Sequence, residues 1–320
     1  MTTTLRPAQG TGDPEPDGSR RRTFQVCDNG RPVGALTVLA RRPHGEWVGA
    51  LEGLEIEPPA RRRGRGTIAV LAAEEVLREW GCATVEVRLP GPAEPRPAAE
   101  LLRGEPGGDP AEPALRMAVA LGYQEADWNM AKALTGPVPA PVPGLRPMTE
   151  AEFDAWWPGA VDSYARALVG LGMSEERARR KAEEDHRRLL PDGPRTADTY
   201  LAVLHGDGAP GEGEPGDGAP GDGAPGWLGT LGLGLLPPPH LAAVAEMRRG
   251  GWVWEVWVAE AARGSGHGRA LMLGAERAAR EAGRDRLGLR VVTDNVPARS
   301  LYRSLGYRVL ARHLTKRLLP

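Results

Sequence analysis

The sequence predicts an α/β protein built from two copies of one unit, and three observations support this. The chain has 320 residues, enough for two ordinary domains. Its hydrophobic content of 41% and charged content of 26% are typical of a packed core. One layout also occurs twice, at residues 61–89 and 263–290: a basic glycine loop, a long helix ending at glycine, and a valine-rich strand.

The predicted first copy lies between two segments rich in proline. Residues 1–22 are rich in Pro, Gly, Asp and Arg, which predicts a disordered arm. The first copy occupies residues 23–134. Residues 135–147 predict a semi-rigid linker, because proline favours an extended backbone. The second copy occupies residues 148–320.

The sequence of the second copy predicts helices and strands in the order α-α-β-β-β-α-β-α-β. Its helices are recognised by apolar spacing of three and four residues, and its strands by alternating or continuous apolar runs. The tract 206–226 is rich in Gly, Asp, Ala and Pro, and it predicts an expanded hairpin loop. The predicted helices cover 149–172, 174–190, 267–283 and 296–306, and the predicted strands cover 199–205, 227–236, 251–259, 286–293 and, as one or two strands, 307–318.

Composition and charge exclude several classes of partner. The net charge of −1 gives no electrostatic reason to bind nucleic acid or a membrane surface. The sequence has no run of eighteen apolar residues, so no membrane span is expected. Two cysteines without CxxC spacing indicate reduced thiols, and six scattered histidines argue against a zinc site. We therefore expect a cytoplasmic protein without a metal.

The segment ARGSGHGRALM, residues 262–272, places Gly264, Gly266 and Gly268 at the start of a helix. Glycines let a phosphate reach the unpaired N–H groups of the first helical turn, where the helix dipole favours negative charge. The spacing is not GxGxxG, and no Asp or Glu ends the next strand, which disfavours a dinucleotide fold. The GK[ST] sequence of a nucleotide P-loop is absent as well. An anion site and a structural turn both fit this pattern.

Two motifs resemble signatures of the GNAT-type N-acetyltransferases. The segment VWVAEAARGSGHGRALM is similar to the pattern [RQ]-x-x-G-x-[GA], which falls on Arg263, Gly266 and Gly268. The segment DNVPARSLYRSLGY resembles the second signature, in which an Asn precedes a helix carrying Leu-Tyr and then Gly-Tyr or Gly-Phe. The resemblance covers residues 145–319 well and 24–134 weakly. It implies two GNAT domains, each a mixed central sheet flanked by helices.

The resemblance implies acetyl-CoA as a co-substrate and transfer of its acetyl group to a primary amine by direct attack in a ternary complex. It places the pyrophosphate on backbone N–H groups of residues 264–269 and the pantetheine arm beside strand residues 256–258. Asn295 either contacts the coenzyme or caps the next helix. The implied coenzyme-binding residues are Val256, Val258, Arg263, Gly264, Ser265, Gly266, His267, Gly268, Arg269 and Asn295.

Tyr302 and Glu255 are the candidate catalytic residues. Tyr302 matches the family Leu-Tyr and is the candidate acid for the leaving thiolate; its alternative is an aromatic ring that packs the helix. Glu255 is a lone carboxylate in an apolar strand and is the candidate base, with a structural or surface carboxylate as the alternative. Glu260 is the second choice. Strict alternation would place Glu255 with Val253 and Trp257, opposite Trp252, Trp254, Val256 and Val258.

Two further predictions concern the amine and the first copy. Aromatic residues Trp156, Trp157 and Tyr164 lie in the helices that cover the acceptor groove in this family, and Asp162, Glu184 and Asp185 are acidic groups that could attract a cation. The first copy has a complete loop, at Arg61, Gly64 and Gly66, but Ala118 stands where the second has Tyr302. It also lacks the two helices before the strands. We therefore expect the first copy to be catalytically inactive, either holding CoA or serving as a packing partner.

The sequence leaves other functions open. A non-catalytic acyl-CoA-binding or sensing protein, and an acyltransferase that uses a different acyl-CoA, are the alternatives. The acceptor could be a small metabolite, an antibiotic amine or a peptide amine, and the oligomeric state is open.

Overall fold

A computed structural model describes residues 2–8, 15, 17–91, 112–170, 173–206, 226–238, 241, 244 and 247–318. The predicted hairpin loop 206–226 lies outside the described residues except for its two end positions. The described residues form two compact units. The first contains Met1–Asn129, Val291–Asn295 and Arg308–Pro320, and the second contains Met130–Arg290 and Val296–Tyr307.

The first unit is a sheet with a helix of fifteen residues packed on it. Its strand order is β1-β2-β3-β4-β5-β12, followed by the first part of β6. Residues of α1 such as Ala73 and Leu77 are fully buried in its core. The elements are β1 (Thr3–Pro7), β2 (Arg20–Asp28), β3 (Arg31–Arg41), β4 (Val48–Ile56), α1 (Arg65–Glu79), β5 (Thr84–Pro90), α2 (Glu112–Ala120), β6 (Gln124–Ala133) and β12 (Arg308–Arg317).

The second unit repeats this sheet and adds a pair of helices. Its strand order is the last part of β6, then β11-β10-β9-β8-β7. The two predicted helices, α3 and α4, are present. They follow a short strand, β7, which lies in the predicted linker. The sequence does not predict this strand, because a run of three residues is too short to show a strand period. The elements are β7 (Leu145–Pro147), α3 (Glu150–Gly170), α4 (Glu175–Leu189), β8 (Thr199–His205), β9 (Trp227–Gly234), β10 (Gly250–Val258), α5 (His267–Glu281), β11 (Arg286–Val292) and α6 (Val296–Ser304).

Part of the expected disordered arm is ordered. Residues 3–7 form β1, and Leu5 pairs with Val26 of β2 and packs against the core. The prediction of disorder rests on composition. It is wrong for this part because Leu5 and the β-branched Thr3 and Thr4 pair with the edge of the sheet. Only residues 8–19 connect β1 and β2, too few for the two helices that occupy 150–189 in the second copy.

The terminal strands of the two copies are exchanged between the units. β12, which the sequence places in the second copy, pairs with β5 in the first unit from Arg317↔Thr84 to Ala311↔Pro90. Lys316 of β12 donates two hydrogen bonds, of 2.9 and 2.7 Å, to the buried carboxylate of Glu74. The units therefore do not coincide with the predicted segments 23–134 and 148–320.

The second unit shows the matching half of the exchange. Lys132 of β6 donates two hydrogen bonds of 2.7 Å to buried Glu276 of α5. The Leu134 N–H donates to the Asp285 carbonyl, as the Leu318 N–H donates to the Ala83 carbonyl in the first unit. A cut in the linker thus deprives each unit of a strand.

Two parallel strands diverge in the second unit, and this geometry positions the candidate site. β10 pairs with β11 only over residues 250–253, although β10 continues to Val258. On its other edge β10 stays paired with β9 as far as Val258↔Gly229. An open edge of β10 is therefore left just before the glycine loop. β4 and β5 diverge in the same way in the first unit, since their pairing ends at Leu51↔Val87.

The described part of the chain contains neither a membrane-spanning helix nor a disulfide. No helix of the described part of the chain is long and apolar enough to span a membrane. Cys27 and Cys82 are both buried and form no disulfide.

Candidate active site

The glycine loop connects β10 to α5 through two left-handed residues. Gly264 has a φ of 81° and Gly266, which precedes the helix, has a φ of 88°. A Cβ at either position would meet no atom within 4 Å, so the backbone conformation rather than crowding requires glycine. At Gly268 the reason is space, because a Cβ would lie 3.2 Å from a methyl carbon of Leu301 in α6.

The loop presents a row of unpaired backbone N–H groups. After the loop, the first backbone amide with a hydrogen-bond acceptor is that of Ala270, which donates to the Gly266 carbonyl at 3.0 Å. Within the described chain, the six amides of residues 264–269 have no hydrogen-bond acceptor. Together with the positive end of the α5 dipole, these amides form a site suited to an anionic group.

The open edge of β10 leads directly to this row of amides. The Ala259 N–H donates to the Leu228 carbonyl of β9 at 3.0 Å. Because successive backbone groups of a strand point to opposite edges, the N–H groups of Val256 and Val258 face the gap left by β11. An extended chain lying in that gap could hydrogen-bond to β10 as an added strand.

The side chains of the loop contact the protein itself. The Arg263 Nε donates to the Val258 carbonyl at 3.4 Å, which fastens the loop to the end of β10. The Arg269 Nη2 donates to the Ser304 hydroxyl at 2.6 Å. Ser265 is exposed and His267 is the half-buried first residue of α5. These contacts anchor the two arginines at the loop, within reach of its amides.

Glu255 is held at one carboxylate oxygen. Its Oε1 accepts a hydrogen bond of 2.7 Å from the Thr230 hydroxyl and one of 3.0 Å from the Trp156 Nε1. Its Oε2 has no hydrogen-bond partner among the described residues. Burial raises the pKa of the Glu255 carboxyl, and the hydrogen bonds from Thr230 and Trp156 oppose that rise. The pKa of this carboxyl is thus above its ordinary value, and one of its two oxygens has no partner among the described residues.

A bulge in β10 changes the expected side-chain alternation. The register to β9 shifts between Val253 and Glu255. Trp254 and Glu255 both contact Trp156, the first with ring centroids 6.2 Å apart and the second through its hydrogen bond. The expectation that Trp254 and Glu255 lie on opposite faces is therefore wrong, because a bulge places two consecutive side chains on one face.

Tyr302 is a buried residue of α6. Its side chain is 8% exposed, and its ring centroid lies 6.1 Å from that of Tyr307. None of the described residues hydrogen-bonds to the hydroxyl, and burial raises its pKa. Asn295 directly precedes α6 and donates its N–H to the Val292 carbonyl at 3.2 Å. It is grouped with the first unit, whereas the other candidate site residues are in the second.

The helices over the sheet carry acidic residues that already have partners. Asp162 lies 3.6 Å from Arg179, and Asp185 pairs with Lys181 and accepts a hydrogen bond of 3.2 Å from Tyr164. Glu184 is exposed. The expected attraction of a cation by this group is weakened, because two of its three charges are neutralised locally.

Sequence reasoning missed Thr230 as a partner of the candidate base. Thr230 is 1% exposed and stands alone in the apolar run of β9. It pairs with Trp257, so its hydroxyl lies on the same face as Glu255. A lone polar residue in a buried strand is a signal, but only the strand register links it to Glu255.

The first copy has the same loop without a tyrosine at the position of Tyr302. Its Arg61 Nε donates to the Ile56 carbonyl at 2.6 Å, as Arg263 does to Val258, and Gly64 has a φ of 74°. Counted back from Arg61, Gly53 has the sequence position of Glu255. By strand register the counterpart of Glu255 is Glu52, which lies opposite Thr37 and is ion-paired with Arg21. Ala118 accepts the Tyr123 N–H at 3.0 Å, as Tyr302 accepts that of Tyr307, which gives Ala118 the position of Tyr302.

Replacing Gly266 with alanine should weaken binding of a pyrophosphate-bearing acyl-CoA about tenfold. A left-handed non-glycine residue costs about 1–2 kcal/mol, so the loop would relax and turn its amides away. Calorimetric titration of acetyl-CoA measures the loss. Gly283→Ala is the matched control, because Gly283 has a φ of 73° at the other end of α5. Equal weakening in both variants would mean that general destabilisation, not the cradle, is responsible.

Comparisons with known proteins agree with this geometry. The model of the Acetyltransferase (GNAT) family matches residues 6–94 and 219–307, more than half of the chain. A relative from Bacillus subtilis (strain 168), the uncharacterized N-acetyltransferase YdgE, is 26% identical over 175 residues, 54% of this chain and 97% of the relative.

Two solved structures are similar over almost the whole chain. A GCN5-related N-acetyltransferase from Sphaerobacter thermophilus has a TM-score of 0.52 at 19% identity and covers 93% of this chain and 81% of that one. A tandem GNAT protein from the clavulanic acid biosynthesis pathway has a TM-score of 0.46 at 19% identity and covers 96% and 85%. The predicted α/β fold of two copies is confirmed, and the chain belongs to the GNAT acetyltransferase family as an acyltransferase with the family unit in tandem.

Proposed function

We propose that the second copy transfers an acetyl group from acetyl-CoA to a primary amine, by direct attack within a ternary complex. One observation carries the proposal: both copies have the glycine loop, but only the second has a tyrosine, Tyr302, where the first has Ala118. The two copies share the left-handed glycine before the helix, Gly64 in the first and Gly266 in the second, so the tyrosine hydroxyl is the difference that separates an active second copy from an inactive first one.

The residues of the second copy fit acetyl-CoA. Its pyrophosphate would be held by the unpaired amides of residues 264–269, with Arg263 and Arg269 beside it. Its pantetheine arm would pair with the N–H groups of Val256 and Val258 along the open edge of β10. When bound, acetyl-CoA supplies the acetyl group as a thioester. Among the described residues, no three His, Cys, Asp or Glu side chains lie close enough together to hold a metal ion.

Glu255 and Tyr302 divide the proton transfers between them. Oε2 of Glu255 accepts a proton from the substrate ammonium, directly or through a water, which frees the nitrogen lone pair for attack on the thioester carbonyl. A raised pKa makes the Glu255 carboxylate a stronger base than an exposed glutamate. As the C–S bond breaks, Tyr302 donates a proton to the leaving thiolate, and its phenolate then takes up the second proton that the nitrogen loses as the amide forms. A backbone N–H near Val258 donates to the carbonyl oxygen.

We place this activity in the cytoplasm. Cys27 and Cys82 are free and buried, which suits a compartment where thiols stay reduced. No cysteine lies in the loop or beside Glu255, so the proposal uses no covalent acyl-enzyme.

Tyr302→Phe tests the proposal in the full chain. Thiol release from acetyl-CoA, measured over a panel of primary amines, should fall by about 10²- to 10⁴-fold in kcat, because the general acid is lost. Calorimetric binding of acetyl-CoA should be unchanged. Tyr200→Phe serves as a control that removes a half-buried hydroxyl from β8.

The other outcomes separate the alternatives. Binding of acetyl-CoA without thiol release for any amine would favour a sensing protein. Faster release from a longer acyl-CoA would favour a different donor. An unchanged kcat in Tyr302→Phe would exclude this residue as the acid.

A further inference from the structure

We propose that the acceptor is a monoamine with an apolar body, an alkylamine or arylalkylamine, and not a polyamine. This inference rests on the proposed function of the second copy. It is carried by the surroundings of Glu255, where aromatic side chains are dense and unpaired acidic groups are scarce.

The partner of Glu255 belongs to a cluster of aromatic rings. Trp156 lies 5.7 Å from Phe153 and 6.2 Å from Trp254 between ring centroids, and Phe153 lies 5.4 Å from Trp157. Trp156 itself is 6% exposed, whereas the other three rings are half-buried. The carboxylate is thus fixed to a wall of aromatic surface that is only partly covered by protein.

Trp257 extends this wall along β10. It stands two residues after Glu255 and pairs with Thr230, whose hydroxyl bonds to the same carboxylate. Its side chain therefore lies on the face of Glu255. Trp257 is half-buried and makes no ring contact within the described aromatic cluster. The partly exposed surface of Trp257 is therefore available for contact with the carbon chain of a substrate.

The charges of the covering helix do not favour a second ammonium group. The α4 sequence EERARRKAEEDHRRL has more Arg and Lys than Asp and Glu. Its acidic side chains are largely taken up by neighbours one turn away: Glu183 pairs with Arg179 and Arg187, and Asp185 with Lys181. Glu255 offers one free oxygen, which matches one amine. A distal ammonium would lose hydration at this wall without gaining a carboxylate, and a cation–π contact with a tryptophan would offset only part of that cost.

The first copy shows that the fold does not require this aromatic wall. Glu55 of β4 occupies the position of Trp257, because it pairs with Ala35 as Trp257 pairs with Thr230, and it is exposed. A tryptophan stands at this position only in the copy that carries Glu255 and Tyr302, which associates it with the acceptor.

Hexylamine and 1,6-diaminohexane make a matched pair of probes, since they differ only by a distal ammonium. With the full chain and acetyl-CoA, kcat/KM for hexylamine should exceed that for the diamine at least tenfold. Trp257→Glu, which installs the residue of the first copy, should reduce this ratio at least fivefold. Glu176→Gln, which changes an exposed charge of α4, should leave the ratio unaltered.

Failure of this inference is distinct from failure of the proposed function. Equal or better turnover of the diamine overturns the inference while acetyl transfer stands. If neither amine is acetylated, calorimetry in the presence of CoA decides. Tighter binding of hexylamine supports the inference although the proposed chemistry fails, and equal binding or none overturns it. A ratio unchanged in Trp257→Glu also overturns it.

Discussion

Glu255→Gln should lower kcat for acetyl transfer by about two to four orders of magnitude at neutral pH, the range expected when a general base is removed. Glutamine keeps the size of the side chain, and its amide oxygen can still accept from Thr230 and Trp156, so acetyl-CoA binding should be retained. Thiol release under saturating acetyl-CoA measures the rate, and calorimetry measures the binding.

The matched control is Glu260→Gln, because Glu260 is the second candidate base and is exposed five residues later. A large loss in this variant and a small one in Glu255→Gln would reverse the assignment.

The pH profile gives an independent measure of the role of Glu255. Thr230→Val removes a hydrogen bond that lowers the pKa of Glu255, so that pKa should rise. Because the base must be deprotonated, activity should then begin to fall at a higher pH as the solution is acidified.

Ending the chain after Tyr307 should remove amide protection from β5, near the start of the sequence. β12 pairs with β5 over the full length of β5, from Thr84 to Pro90, and Leu314 of β12 is fully buried in the core of the first unit. Without β12, β5 has an open edge and Glu74 has lost its lysine. Residue-resolved hydrogen exchange on the truncated and full chains should show faster exchange at 84–90. Loss confined to β11 would mean that each copy keeps its own last strand.

A milder variant tests the same exchange in a chain that keeps every strand. Lys316→Met leaves Glu74, which is 1% exposed, without its charged partner. Breaking such a buried pair should cost about 3 kcal/mol in the free energy of unfolding. Arg317→Met is the control, since Arg317 is the exposed next residue. Denaturant unfolding of both variants measures the difference, and equal losses would contradict the role of the pair.

The local elements around the glycine loop could be predicted from the sequence. The helix at 267–281, the tryptophan-rich strand and the loop all follow from short-range signals, namely apolar period, alternation and glycine spacing. The tandem repeat could be found because each copy keeps the same loop and helix. What these features share is that residues close in sequence determine them.

The features that sequence did not predict depend on strand pairing. The bulge at Trp254, the contact of Thr230 with Glu255 and the exchange of β6 and β12 are set by register and by partners far along the chain. Leu5 forms part of a sheet although its segment is polar in composition, because pairing with β2 and packing against the core outweigh the local preference for disorder. A single sequence carries little information on such pairings.

The exchanged strands also set an order of events during synthesis. β5 is made early, but β12, which covers its edge, is the last described strand to leave the ribosome. At a translation rate of roughly 5–20 residues per second, the β5 edge waits for the intervening chain to be made. The first unit therefore cannot complete its sheet before β12 has been made, and an unpaired strand edge stays exposed on the nascent chain during that interval.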